Sequence, residues 1–208
     1  MRISIQNLGK KFGSTWVFKN LNETIESGDK VAIIGNNGSG KSTLLQLMSG
    51  LALPSSGTLI YSSRNGDKLN SETALFKMNF AAPYSELIEE FSLVEFLSFH
   101  FKFRELSSGL EINELINILY QNGNEDKRIK NFSSGMKQRL KLGLAFYTVS
   151  EVVFLDEPTT NLDTKGVNWY LEQIQQQIGF KTIVVSSNQK SEYLFCDKII
   201  DMGKELNK

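Results

Sequence analysis

Short apolar runs and amphipathic segments alternate along the chain, and their order predicts an α/β fold. Ile3 and Ile5 alternate with polar residues, as they would on one face of a strand. Fully apolar runs such as Val31–Ile34 are typical of strands that are buried on both faces of a parallel sheet. Strands are predicted at the start of the chain and over residues 30–34, 58–61, 76–80, 152–155 and 182–185.

Helical periodicity fills the intervals between these strands and dominates the middle of the chain. Apolar residues recur at helical spacing over residues 44–48, 93–97, 110–119, 136–146 and 166–178. We therefore predict one domain over residues 1–208, in which a core of residues 1–83 and 149–208 is interrupted by a helical subdomain at about 84–148. The polar end, residues 203–208, is expected to fray.

Charge and composition narrow the function classes. The 208 residues include 23 basic and 23 acidic side chains, so no overall positive field attracts nucleic acid or an anionic membrane. No apolar stretch approaches the roughly 20 residues that span a bilayer, and the N-terminus lacks the pattern of a signal peptide. Because the single cysteine, Cys196, cannot form an internal disulfide, we expect a cytoplasmic protein.

A glycine-rich segment between a predicted strand and a predicted helix gives the strongest functional signal. Residues 35–43 follow Val31–Ile34 and match the phosphate-loop pattern GxxxxGK[ST]. Glycines in such a loop let successive N–H groups point at one anion, and the following helix adds its positive N-terminal end. The predicted phosphate contacts are Gly35, Asn36, Asn37, Gly38, Ser39, Gly40, Lys41, Ser42 and Thr43.

Two side chains of this loop have the chemistry that a nucleoside triphosphate with Mg²⁺ requires. The Lys41 ammonium can reach the β- and γ-phosphates, and the Ser42 hydroxyl can ligate Mg²⁺. The alternative is a glycine-rich turn that happens to precede a helix. The order of strand, loop and helix favours the nucleotide site.

Two adjacent carboxylates follow the apolar run Val152–Leu155. Open α/β sheets bind ligands at the carboxyl ends of their strands, which is where Asp156 and Glu157 fall. Asp156 is predicted to hold Mg²⁺ directly or through water, and Glu157 to polarise the water that attacks the γ-phosphate. The alternative is an acidic turn at a strand end.

Three segments together give the chain a resemblance to the ATP-binding cassette (ABC) ATPases. They are the phosphate loop, residues 131–140 (NFSSGMKQRL) and residues 156–163 (DEPTTNLD). The family signature Leu-Ser-Gly-Gly-Gln is represented by residues 132–136, Phe-Ser-Ser-Gly-Met, which depart at three of five positions. The resemblance covers essentially the whole chain. It implies a phosphate-loop NTPase core with a mostly parallel sheet, an antiparallel β edge and an inserted helical subdomain.

Further expectations rest on this resemblance. It implies a head-to-tail dimer with a second ABC subunit, identical or different, in which Ser133 and Gly135 contact the γ-phosphate of ATP held by Lys41 of the other subunit. Ser133 would in any case cap its helix. Phe12 lies where the family places an aromatic residue that stacks on adenine, although a core position is the alternative. Asp163 matches an acidic dimer-contact position and could equally cap the next helix.

Two switch residues of the family are absent. Ala82 stands where a glutamine that ligates Mg²⁺ is expected, and Ser187 stands in place of a histidine. Ser187 can still donate a hydrogen bond to the γ-phosphate, but it has a shorter reach and no positive charge. We therefore expect normal ATP binding and slow hydrolysis, unless a nearby polar residue compensates; candidates are Asn79, Tyr84, Ser85 and Asn188. The only histidine, His100, is expected to be a packing or surface residue.

The favoured function is that of the energy subunit of an ABC transporter, a cytoplasmic ATPase that drives a separate integral membrane subunit. Aromatic residues between 91 and 103 would supply a groove for that subunit, although most of these rings are also consistent with core packing. One alternative is a soluble ABC protein acting on ribosomes or DNA, which the missing basic excess disfavours. Another is a regulatory ATP sensor with weak hydrolysis.

Overall fold

The predicted α/β class is confirmed by the structure of the chain, a computed structural model that describes residues 1–120 and 124–205. The strands are β1 (Arg2–Phe12), β2 (Thr15–Ile25), β3 (Lys30–Ile34), β4 (Ser56–Ser62), β5 (Met78–Ala81), β6 (Val152–Asp156), β7 (Thr182–Ser186) and β8 (Lys198–Asp201). The helices are α1 (Lys41–Met48), α2 (Ser71–Phe76), α3 (Leu93–His100), α4 (Ile112–Tyr120), α5 (Ser134–Tyr147), α6 (Thr164–Gln177) and α7 (Met202–Glu205).

The strands form two sheets of different character. The first is antiparallel and has the order β2-β1-β4. The second has the order β5-β6-β7-β3-β8, and its pairs β6/β7, β7/β3 and β3/β8 are parallel. Because β7 lies between β6 and β3, the residues that follow these three strands emerge side by side at one edge of the sheet.

The residues divide into two compact units. The first comprises residues 1–80, 150–157 and 177–208, and the second comprises residues 81–149 and 158–176. In the first unit, the apolar side chains of β6 and β7 are fully buried, and so are Val31, Ala32 and Ile33 of β3, as the continuous apolar runs require. In the second unit, α4 and α5 pack closely: a Cβ on Gly143 would lie 2.4 Å from a Cδ atom of Leu119.

Most predicted elements are present, and the differences are local. The strand predicted at 76–80 is wrong at its start, because Phe76 ends α2, whose N-cap Asn70 accepts a hydrogen bond from the Thr73 N–H. Strands β2 and β8 were not predicted. Residues 203–205 belong to the helical turn α7 rather than to a frayed tail, and residues 206–208 lie outside the described part of the chain. No helix over residues 1–120 and 124–205 is long and apolar enough to cross a membrane.

Candidate nucleotide-binding site

The glycine-rich loop between β3 and α1 needs its glycines. Gly35, Gly38 and Gly40 have φ angles of 143°, 80° and 95°, in the region that L side chains rarely adopt. A Cβ on Gly40 would lie 2.6 Å from Cγ1 of Val17, and one on Gly35 would lie 2.7 Å from Oγ of Ser39. Two of the three positions therefore exclude side chains by space as well as by backbone conformation.

Lys41 begins α1 and folds back over the loop that precedes it. Its side chain is buried, with 6% of its surface exposed, and its ammonium donates hydrogen bonds to the carbonyl oxygens of Gly35 at 2.8 Å and Asn36 at 3.2 Å. These carbonyls hold the positive charge inside the loop. An arriving phosphate would offer the ammonium a charged acceptor, and a hydrogen bond to a charged partner is roughly twice as strong as one between neutral groups.

The start of α1 also leaves donors available. Its N-cap is Gly40, which has no side chain to accept from the first-turn N–H groups, and the initial N–H groups of a helix have no intrahelical acceptor. Over residues 1–120 and 124–205, the buried Oγ of Ser39 has no hydrogen-bond partner. Available donors beside an ammonium group are what a phosphate chain requires, so the loop fits a nucleotide phosphate.

A cavity of about 300 Å³ lies against this loop. It brings Glu157 together with residues of the phosphate loop. Its lining consists of Val17, Asn37, Gly38, Gly40, Lys41, Ser42, Thr43 and Glu157. Gly35, Asn36, Ser39 and Asp156 belong to the adjoining loop and strand rather than to this lining. Val17, on β2, was not among the predicted site residues.

The two carboxylates at the end of β6 differ in environment. Asp156 is the last residue of the strand and is 1% exposed, whereas Glu157 is exposed and lines the cavity. Glu157 has a φ of 42°, unusual for a residue with a side chain, and its N–H donates to Ser186 O at 2.8 Å. Such strained backbone is often found where a side chain is held for function.

Oxygen ligands for Mg²⁺ are available beside the phosphate loop. Mg²⁺ prefers oxygen and usually keeps several waters, so one carboxylate, one hydroxyl and the nucleotide phosphates can suffice. Ser42, which has a hydroxyl, lines the cavity, and Asp156, which has a carboxylate, is the last residue of the strand that precedes Glu157. The donor types therefore fit Mg²⁺.

Ser187 was expected to direct its hydroxyl at the γ-phosphate, but in the segment after β7 this hydroxyl is bonded to the backbone of Gln189. Ser187 is 1% exposed, and its Oγ accepts a hydrogen bond from the Gln189 N–H at 2.8 Å. The same hydroxyl donates to Gln189 O at 3.4 Å. The next residue, Asn188, is exposed, and its Nδ2 donates to Oδ1 of Asn37 in the phosphate loop at 2.5 Å. Asn188, rather than Ser187, therefore contacts the phosphate loop.

Phe12 lies at the tip of the β1–β2 hairpin. Its ring is 61% exposed, so the alternative of a core position is wrong. The Lys10 ammonium lies 5.2 Å from the ring centroid. Phe12 does not line the cavity at the phosphate loop, but Val17 of the same hairpin does. An exposed aromatic face near a phosphate site is suited to stacking on a base.

Ser133 and Gly135 belong to the second unit. Ser133 caps α5: its Oγ accepts a hydrogen bond from the Met136 N–H at 3.2 Å. The residue is exposed. Both residues line a cavity of about 640 Å³ together with Asp163, whose carboxylate accepts the Gly166 N–H at 2.7 Å. The expected capping roles of Ser133 and Asp163 are thus confirmed. Gly135 approaches the backbone closely, because a Cβ there would lie 2.9 Å from Asn161 O.

Ala82 and His100 are the two remaining positions that the sequence singled out. Ala82 is fully buried. His100 is half-buried, and its Nε2 lies 3.1 Å from Thr148 Oγ1. Burial and the neighbouring Arg104 charge lower the pKa of His100. His100 is therefore a packing residue of the second unit, as expected.

Comparison with known proteins shows the family of the chain. A family model described as ABC transporter matches residues 18–160. YybJ of Bacillus subtilis, an uncharacterized ABC transporter ATP-binding protein, is 29% identical over 97% of this chain and 92% of its own length. SrtF of Streptococcus pyogenes, a lantibiotic transport ATP-binding protein, is 34% identical over 91% of this chain and 81% of its own length.

The fold also matches that of a solved ATP-binding cassette. The ATP-binding cassette MJ0796, in a dimeric post-hydrolysis state bound to ADP and Pi, superposes with a TM-score of 0.80 at 25% identity. The match covers 96% of this chain and 93% of that chain. The chain belongs to the ABC transporter family, as an ATP-binding subunit.

Proposed function

We propose that this chain binds MgATP and hydrolyses it to ADP and phosphate, as the energy-supplying subunit of an ABC transporter. The observation that supports this most directly is the cavity that Glu157 lines together with Lys41 and Ser42 of the phosphate loop. A carboxylate that lines the same small cavity as phosphate-binding groups is suited to orienting water toward a terminal phosphate.

Each group has a distinct part in this reaction. The loop N–H groups and Lys41 bind the phosphates and stabilise the negative charge that moves toward the leaving ADP. Ser42 and Asp156 would hold Mg²⁺, which neutralises charge on the phosphate oxygens when it is bound. Glu157 orients the attacking water. Phe12 stacks on the base, where its exposed ring is available.

A second ABC subunit, identical or different, is part of the proposal. Ser133 and Gly135 of one subunit would contact the terminal phosphate bound to Lys41 of the other. Ser133 is exposed at the start of a helix of 14 residues, where a positive dipole end favours an anion. The dimeric state of the cassette MJ0796, bound to ADP and Pi, supports an arrangement of this kind.

An integral membrane subunit is the proposed partner in transport, and the chain would act at the cytoplasmic face of the membrane through it. An aromatic surface on the second unit supports a docking role: Phe99 and Phe103 are 41% and 67% exposed, and their ring centroids lie 5.3 Å apart. Phe91 packs edge-on against Phe99 at 5.7 Å. An exposed aromatic surface is suited to packing against the apolar face of an amphipathic helix.

Glu157→Gln tests the enzymatic part of the proposal. The substitution keeps the size of the side chain but removes the carboxylate that orients water, so ATP binding should persist and hydrolysis should fall at least 100-fold. Steady-state phosphate release and equilibrium ATP titration measure the two properties separately. Hydrolysis that continues at the wild-type rate would contradict the assignment.

A second candidate function is a regulatory ATP sensor that dimerises with little hydrolysis. It is favoured by the geometry after β7, where the Ser187 hydroxyl is bound within its own turn, and by the buried Ala82, which has no ligand atom. The phenotype of Glu157→Gln in cells distinguishes the two functions. Loss of transport supports the ATPase, whereas retained activity supports the sensor.

A further inference from the structure

A cavity of about 480 Å³ lies within the first unit, apart from the phosphate loop. Its lining comes from β1 and from three turns: one before β3, one after β4 and one before β7. Since β3 and β7 are parallel, the turns that precede them lie at the edge of the sheet where these strands begin, whereas the phosphate loop follows the other end of β3. The volume is in the range of small-molecule sites, which run from about 300 to 1,000 Å³.

Two guanidinium groups line this cavity and are anchored on consecutive residues of one turn. Arg2 Nε lies 3.2 Å from Glu26 Oε1. Arg64 Nε donates a hydrogen bond to Ser27 Oγ, also at 3.2 Å. Because neighbouring residues anchor the two groups, both can approach a single ligand.

The positive charge of Arg64 is not balanced by a carboxylate. Within the described residues, 1–120 and 124–205, Arg64 forms no ion pair, and its terminal nitrogens donate to no acceptor. Arg2 and Glu26 do pair, but their side chains are 50% and 57% exposed, and pairs this exposed contribute little to stability. The planar N–H fork of Arg64 is therefore available for a carboxylate or a phosphate, the groups that it binds best.

The turns around the cavity are fixed by their own hydrogen bonds. In the turn before β3, the Glu26 N–H donates to Asp29 Oδ2 at 2.8 Å. In the turn after β4, the Ser63 N–H donates to Asp67 O at 2.8 Å, and Ser63 Oγ accepts from the Asp67 N–H at 3.2 Å. A ligand would therefore have little backbone to order on binding, which favours affinity.

An exposed aromatic ring lines the same cavity as the charged groups. This residue, Phe180, is 77% exposed. A large ring beside polar groups favours a ligand with an apolar or aromatic part, because packing against it removes apolar surface from water.

We propose that this cavity binds a small organic anion in which a carboxylate or phosphate is attached to an apolar or aromatic group. Arg64 donates to the oxyanion, Arg2 adds a second positive charge, and Phe180 packs against the apolar group. Glu26 opposes the ligand, since its carboxylate competes for Arg2. The site goes beyond the proposed function, because its lining includes none of residues 35–43.

The test is a titration of the full ¹⁵N-labelled chain with phenyl phosphate and with phenylacetate, followed by amide NMR. We expect saturable shifts at residues 26–28, 63–66 and 179–180, and the tighter of the two probes identifies the oxyanion. Arg64→Ala should weaken this binding about tenfold or more, the effect of losing hydrogen bonds to a charged group, and Arg64→Lys should recover only part of it. Glu26→Gln should strengthen binding roughly 1.5- to 5-fold, because it removes the competing carboxylate.

Lys68→Ala is the matched control, because Lys68 is an exposed cation close to Arg64 in sequence that does not line the cavity. It should leave the affinity for both probes unchanged. The inference is overturned if neither probe shifts these amides at millimolar concentration, if the shifts are confined to residues 35–43, or if Arg64→Ala and Lys68→Ala have equal effects. Each of these results leaves the proposed function standing, since ATP binding and hydrolysis are measured separately.

Discussion

A methyl group added to Gly40 should destabilise the chain much more than one added to Gly38. Both residues have left-handed backbone, with φ of 95° and 80°, so each substitution incurs the roughly 1–2 kcal/mol of a side chain in that conformation. At Gly38 the new Cβ would have no heavy atom within 4 Å. At Gly40 it would lie 2.6 Å from Val17 Cγ1 and 3.3 Å from Phe18 Cδ1.

The additional contact at Gly40 sets the expected difference. Val17 is β-branched and stiff at χ1, so relief of the overlap requires movement of β2 or of the loop. Forced overpacking of this kind costs about 1–3 kcal/mol, which brings the total for Gly40→Ala to roughly 2–5 kcal/mol. At about 2–4 °C per kcal/mol for a chain of this size, the melting temperature should fall by roughly 4–20 °C.

The assay is urea and thermal unfolding of the two variants, followed by ATP titration of each. Because Val17 lines the nucleotide cavity, Gly40→Ala should also weaken ATP binding more than Gly38→Ala does. Equal stability of the two variants would exclude a steric conflict with Val17, since the two positions differ in the space around the new methyl group.

Two further predictions follow from single side chains. Phe12→Ala should weaken ATP binding by about 1–3 kcal/mol, the effect of losing a base stack, and should leave stability unchanged because the ring is 61% exposed; Phe12→Trp is the control, and unaltered affinity in Phe12→Ala would exclude stacking. Burial, with a smaller effect from Arg104, lowers the pKa of His100. As pH falls from about 6.5 toward the pKa of His100 in the folded chain, the unfolded chain binds more protons than the folded chain. The free energy of unfolding should therefore decrease over this range. NMR of the single histidine ring should give a midpoint below 6.5, and His100→Gln should remove this part of the pH dependence; a midpoint at or above 6.5 would contradict the burial argument.

Elements with uniform burial could be predicted from periodicity alone. Strands β6 and β7 are buried at every position, and their apolar runs make this plain. Strand β2 was missed because its pairing with β1 contains register shifts, and Asn7 and Asn20 have positive φ. Such irregularities interrupt the alternation of period two on which a strand prediction depends.

The phosphate loop could be predicted because its chemistry is contained in nine consecutive residues. Val17 could not, since it meets the loop only when the β1–β2 hairpin folds against it. For a similar reason, the sequence could not show that Asn188, rather than Ser187, contacts the phosphate loop. Which of two adjacent side chains faces the cavity depends on how the chain turns after β7, and the Gln189 bonds that set this turn leave no sequence pattern.

The most direct test of the account is whether MgATP stabilises the purified chain through Lys41. At about 100 times the dissociation constant, ATP should raise the free energy of unfolding by about 2.7 kcal/mol, and the melting temperature by roughly 5–10 °C. Lys41→Ala should abolish this shift, because the ammonium that the Gly35 and Asn36 carbonyls hold in the loop is removed. A wild-type chain without a shift at millimolar MgATP, or an equal shift in Lys41→Ala, would contradict the account.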